Sequence, residues 1–107
     1  MPKQPLFEIV FAEQIYEHLE AIERKYDSVI REAVETQLLY EPHAQTRNRK
    51  RLRRTTGFGA VWEVRCGPNN RFRIFYAIDL EARQVKIVTI ATKVDNRLFA
   101  GKEELDI

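Results

Sequence analysis

The chain has 107 residues, 44% of them apolar and 32% charged, which suits one buried core and is too apolar for a disordered segment. Its single cysteine, Cys66, excludes an intramolecular disulfide and a cysteine-based metal site, and no stretch approaches the roughly 18 apolar residues of a membrane span. The net charge of +2 hides an asymmetry: residues 1–45 hold four Lys/Arg against nine Asp/Glu, and residues 46–102 hold fourteen against four, so the basic part should meet a polyanion or an acidic protein. One domain over residues 1–107 is expected, cytoplasmic because the opening Met1-Pro2-Lys3-Gln4-Pro5 lacks an apolar signal core.

Residues 6–11, LFEIVF, are aromatic and β-branched after a proline and predict a first strand. From Ala12 the period changes. Ile15, Leu19 and Ile22 recur at helical spacing while Glu13, Glu17, Glu20 and Glu23 fill the other face. Asp27 or Ser28 can cap a second helix with Ile30, Val34 and Leu38 as its stripe, stopped by Pro42. So short a joint predicts an antiparallel helix pair.

Residues 43–57 have no apolar period; six of the nine residues from 46 to 54 are basic and Leu52 is the one apolar residue among them. This predicts a connecting loop with one anchoring side chain. Arg49, Lys50, Arg51 and Arg53 make it a candidate nucleic-acid-binding arm or a docking strip for an acidic protein segment, since Lys and Arg give phosphate affinity without sequence preference. Arg71, at the start of a later strand, joins this set.

Three strands follow, at about 60–66, 71–78 and 84–92. Strand, helix, helix and three strands predict an α+β domain, with the helix pair packed on one face of a largely antiparallel sheet. For Trp62, Val64 and Cys66 to share the core face with Phe72, Ile74 and Tyr76, Val64 must lie opposite Ile74, Trp62 opposite Tyr76 and Cys66 opposite Phe72. The other face then pairs Arg65 with Arg73 and Glu63 with Phe75, across a loop of Pro68, Asn69 and Asn70 in which Asn70 takes the left-handed position. Like charges opposite one another are unfavourable by about 0.2–1 kcal/mol. A bound anion would relieve that, because arginine forks match phosphate and carboxylate; the competing reading is that Glu63 and Asp79 neutralise the pair. The strand at 84–92 is apolar on both alternations, as expected of one covered on both sides, and leads to Lys93 at the first solvent position.

The strand, helical hairpin and basic connector ending in "RLRR", followed by "WEVR", "RFRIFY" and "VKIVTIATK", resemble the RelE/ParE superfamily of bacterial type II toxin-antitoxin toxins over nearly the whole chain. The resemblance implies a RelE-like fold and a toxin held by a cognate antitoxin. In the RelE branch it would be a metal-independent endoribonuclease cutting messenger RNA on the ribosome, without a cofactor; in the ParE branch, an inhibitor of DNA gyrase. A third possibility is a non-toxic RNA-binding relative. It also implies that Arg73 stabilises the scissile phosphate, with Arg65, Arg53 and Lys93 as further basic positions. The chain departs from the pattern at Glu63, where a lysine is frequent, and at Phe99, near the place of a catalytic tyrosine.

Metal-free cleavage needs the RNA 2′-hydroxyl to attack the adjacent phosphate while the enzyme holds the backbone in line and stabilises the added negative charge. Arginines supply charge but are poor proton shuttles, so a base must come from elsewhere. Glu63, two positions from Arg65 on one strand face, is the best candidate, and it is equally a salt-bridge partner. Lys93 and His43 are possible partners for it. His18 and His43 have the pattern of ordinary surface histidines, Cys66 points to the core, and Trp62 and Tyr76 form a core pair.

Overall fold

The structure is a computed structural model that describes residues 6–53, 56–57 and 59–105; Arg54 of the basic run lies outside the described residues. In chain order it has strand β1 (Glu8–Phe11), helix α1 (Ile15–Glu20), a 3-10 turn (Arg24–Tyr26), helix α2 (Asp27–Leu38) and strands β2 (Arg49–Arg51), β3 (Trp62–Cys66), β4 (Phe72–Asp79), β5 (Gln84–Val94), β6 (Arg97–Ala100) and β7 (Glu103–Leu105). The class is α+β. One sheet runs β2-β3-β4-β5-β6-β7, antiparallel throughout, and β1 lies parallel beside the first part of β5.

The sheet has seven strands where the sequence predicts four. β2 lies inside the segment predicted to be a connecting loop. Three basic residues carry no strand period of their own, and the open edge of β3 supplies the partner that makes them a strand. β6 and β7 are equally short extensions beyond β5, joined by two-residue turns. The helices differ from the prediction too. α1 has one and a half turns, and α2 begins at Asp27 with no side-chain capping bond, although Asp27 sits in the first turn where its charge opposes the helix dipole. Each packs on the sheet, α1 against β5 and α2 against β3.

Burial follows the predicted stripes. Ile15, Ile22, Ile30, Val34 and Leu38 are buried from the helices, and Trp62, Val64, Ile74, Tyr76, Val85, Ile87 and Ile90 from the sheet. The far face is also dry at Phe75, Thr89 and Ala91. The register places Leu98 and Leu105 on that same face, and both pack against the core. β5 is covered on both sides, as its composition predicts.

Against β4, β5 carries one extra residue, Val88, between Ile87 opposite Tyr76 and Thr89 opposite Phe75. The edge of β5 is also split. β1 ends opposite Ile87 and β6 pairs with β5 only from Thr92 onward, leaving a gap that side chains of α1 and of its N-cap residue Gln14 fill. Gln14 Nε2 donates to the Val88 carbonyl at 2.8 Å, and the Ile90 N–H donates to His18 Nδ1 at 3.2 Å. His18 is therefore a buried-edge acceptor and not an ordinary surface histidine.

Candidate functional site

All five predicted pairs of the β3–β4 hairpin are present, including Arg65 opposite Arg73 and Glu63 opposite Phe75. Apolar alternation on both strands fixes this register, since a one-residue slip would bury an arginine on the helix side. The turn is sharp: Asn69 and Asn70 both have φ of +54°, so the left-handed position predicted for Asn70 extends to its neighbour. Gly67 precedes them at φ +82°, and a Cβ there would lie 2.5 Å from Phe72 Cδ2, so only glycine fits.

The two arginines converge on one carboxylate. Glu63 Oε1 accepts from Arg65 Nε at 2.9 Å and from Arg73 at 3.2 Å. Glu63 and Arg73 are 5% and 9% exposed, whereas the Arg65 side chain is 35% exposed. Burial pulls the Arg73 guanidinium below its usual range, Glu63 opposes that and Arg65 adds to it. Three charges with a residual single positive charge therefore sit on the sheet face away from the helices. The repulsion read from the sequence is met by Glu63 from within the molecule, before any outside anion is considered. Asp79 takes no part in this: its carboxylate accepts the Ala82 N–H in the β4–β5 turn.

The other predicted residues divide. Lys50 lies opposite Glu63 on the same face and is exposed; Arg51, opposite Trp62, and Arg53 are exposed at the sheet edge. Arg49 is not on this surface. It is 8% exposed, on the helix side opposite Val64, and one terminal nitrogen donates to the Gln37 carbonyl in the last turn of α2. It serves a helix end whose carbonyls lack intrahelical partners, which corrects its reading as an RNA contact. Arg71 leans over the Tyr26 and Phe72 rings, 5.4 and 5.9 Å from their centroids, and donates to the Tyr26 hydroxyl. Lys93 is exposed at the end of the sheet and forms no ion pair with the Glu63 cluster.

His43 packs against Phe7, with ring centroids 6.0 Å apart. Burial pushes the Cys66 thiol up to about 11, which disfavours a thiolate nucleophile. Trp62 and Tyr76 stack at 6.2 Å as a core pair. Tyr76 donates to the Pro42 carbonyl at 2.7 Å, and burial raises its hydroxyl above the usual range. Phe99 lies opposite Thr92 in the β5–β6 ladder.

A second concavity lies elsewhere. A groove of about 790 Å³ runs between α1 and α2 over Ile9 and Ile90, with Phe11 and Tyr16 standing 48% and 69% exposed on its wall. Its floor is apolar, Glu20, Arg24, Asp27, Arg31 and Glu35 also line it, and it holds none of the predicted site residues.

Chemically, the Glu63 cluster can hold a phosphate through the open side of Arg65. Both charge-assisted bonds fall on Glu63 Oε1, so Oε2 keeps lone pairs that can accept a proton from substrate. No family model, curated protein or solved structure matches the chain.

Proposed function

We propose that the chain is a toxin of the RelE type, a metal-independent endoribonuclease that cuts messenger RNA in the cytoplasm, with the ribosome as its platform and an antitoxin as its inhibitor. The observation that carries this reading is the pairing of Arg65 with Arg73 around a single carboxylate. Two guanidiniums and one carboxylate keep a positive charge at a place where a phosphate can replace or join Glu63. Lys50 is exposed on the cluster's own face, and Arg51, by register on the other face, and Arg53 are exposed along the β2 edge, so RNA backbone would wrap around that edge.

In this reading the phosphate docks on Arg65 while Glu63 keeps its bond to Arg73. Glu63 Oε2, which carries neither arginine bond, takes the proton of the 2′-hydroxyl as that oxygen attacks phosphorus. Both arginines stabilise the charge that builds on the phosphoryl oxygens. As the P–O5′ bond breaks, the proton held by Glu63 passes to the leaving 5′-oxygen, directly or through water, which gives a 2′,3′-cyclic phosphate and a 5′-hydroxyl. The groove with exposed Phe11 and Tyr16 on its wall gives an inhibitor protein a surface distinct from the Glu63 cluster.

A second reading is a gyrase inhibitor of the ParE type without catalysis. It is favoured by the burial of Arg73 and the two bonds on Glu63, because binding alone requires nothing to move. Inducing the gene and mapping transcript ends separates the two. Codon-linked cuts in translated messages support the ribonuclease; DNA damage with intact messages overturns it in favour of the gyrase inhibitor.

A further inference from the structure

At the end of the sheet, where the β3–β4 and β5–β6 turns meet, a cup of about 320 Å³ is lined by Pro68, Asn69, Arg71, Lys93 and Asp95. The ladder brings these residues together: the Lys93 N–H donates to the Arg71 carbonyl at 2.7 Å, one step beyond the Phe72–Thr92 pair. Asp95 follows in the β5–β6 turn. Asn69 and Asp95 hold φ of +54° and +56°, which asparagine and aspartate tolerate in tight turns, and the two turns so formed make the rim of the cup.

The charges around the cup are arranged without pairing across it. Among the described residues, neither Arg71 nor Lys93 forms an ion pair with Asp95. Arg71 is also held in place before any ligand arrives, by its bond to Tyr26 and by the two rings beneath its guanidinium, which lowers the ordering cost of a further contact. A fixed guanidinium and an ammonium call for an anion. The carboxylate beside them would repel an anion that filled the cup and would accept from a hydroxyl. A phosphate joined to a sugar supplies both, and the volume lies at the small end of ligand sites.

We propose that this cup binds one ribose phosphate unit of RNA, with its phosphate on Arg71 and Lys93 and its 2′-hydroxyl donating to Asp95. The inference rests on the RNA-directed reading above and adds where RNA is told from DNA, because the 2′-hydroxyl is the group that differs. Arg71 has a helical backbone (φ −63°, ψ −30°) immediately before β4, two residues from Arg73 along the chain, so the cup lies just beyond the end of the strand that carries Arg73.

The test is an NMR titration of the ¹⁵N-labelled full chain with adenosine 5′-monophosphate, its 2′-deoxy analogue and inorganic phosphate. Shifts should centre on Asn69, Arg71, Lys93 and Asp95, with the ribonucleotide binding at least about threefold tighter than the deoxynucleotide. Lys93→Gln should weaken both nucleotides about tenfold. Asp95→Asn, which keeps a residue tolerant of positive φ, should remove the preference. Equal affinity for the two nucleotides, phosphate binding as tightly as the ribonucleotide, or no response to Lys93→Gln would overturn the proposal. Ribonucleotide selectivity in a protein that cuts no RNA would leave the cup standing and sink the nuclease; RNA cleavage with an unresponsive cup would do the reverse.

Discussion

Glu63 joins two guanidiniums, one of them almost fully buried, so the three residues are not equivalent to substitution. Glu63→Gln leaves Arg73 in a dry place without a counter-charge and should cost about 3–5 kcal/mol. Arg65→Ala leaves the Glu63–Arg73 pair intact and, at a partly solvated position, should cost no more than about 1 kcal/mol. Urea midpoints of the two variants check the difference, and equal losses would contradict it. Were Arg65 and Arg73 only repelling one another across the ladder, Arg73→Ala would relieve repulsion and spare the fold. The burial of Arg73 reverses that expectation, which makes Arg65 the cleaner functional probe. Arg49 is a second case of a charge that serves the fold. Arg49→Ala strands the Gln37 carbonyl and should lower stability by about 1–3 kcal/mol, while Arg51→Ala, at an exposed position, should leave the unfolding midpoint unchanged.

At the scale of elements, the split edge of β5 is the feature with a pH signature. His18 accepts the Ile90 N–H through Nδ1, which requires an unprotonated nitrogen there. Burial lowers its pKa from 6.5, opposed by Glu17 on the same helix and by Glu103 of β7. A base whose folded pKa is depressed contributes stability that is present above its unfolded value and lost as pH falls through the folded one. Melting temperature should therefore decline as pH falls from about 7 to about 5, and less so in His18→Gln, whose amide oxygen can accept the same N–H at any pH. An identical decline in the variant would place the titration elsewhere.

Across the whole molecule, what the sequence reveals depends on whether a segment carries its own period. The β3–β4 hairpin was legible because both strands alternate strictly, and β5 because it is apolar on both faces. β2, β6 and β7 have three or four residues each and borrow their order from a neighbour's open edge, so no local pattern announces them. The inward turn of Arg49 follows from β2 being a strand and was hidden with it. Gln14 and His18 are four residues apart and so share one face of α1; that spacing was visible, but the break in β5 that needs them was not. The charge asymmetry was fully legible, and it carries a prediction. If Lys50, Arg51 and Arg53 track RNA backbone, neutralising all three should reduce the slope of log affinity against log salt by about 2 for a single strand; an unchanged slope would move the RNA off this edge. The claim that the Arg65–Arg73 pair is a phosphate site is tested most directly by inducing wild-type and Arg65→Ala proteins side by side and mapping transcript 5′-hydroxyl ends. The account predicts codon-linked ends with the wild type and their loss in a variant that still melts as a folded protein. Uncut messages with the wild type, or equal cutting by both, would contradict it.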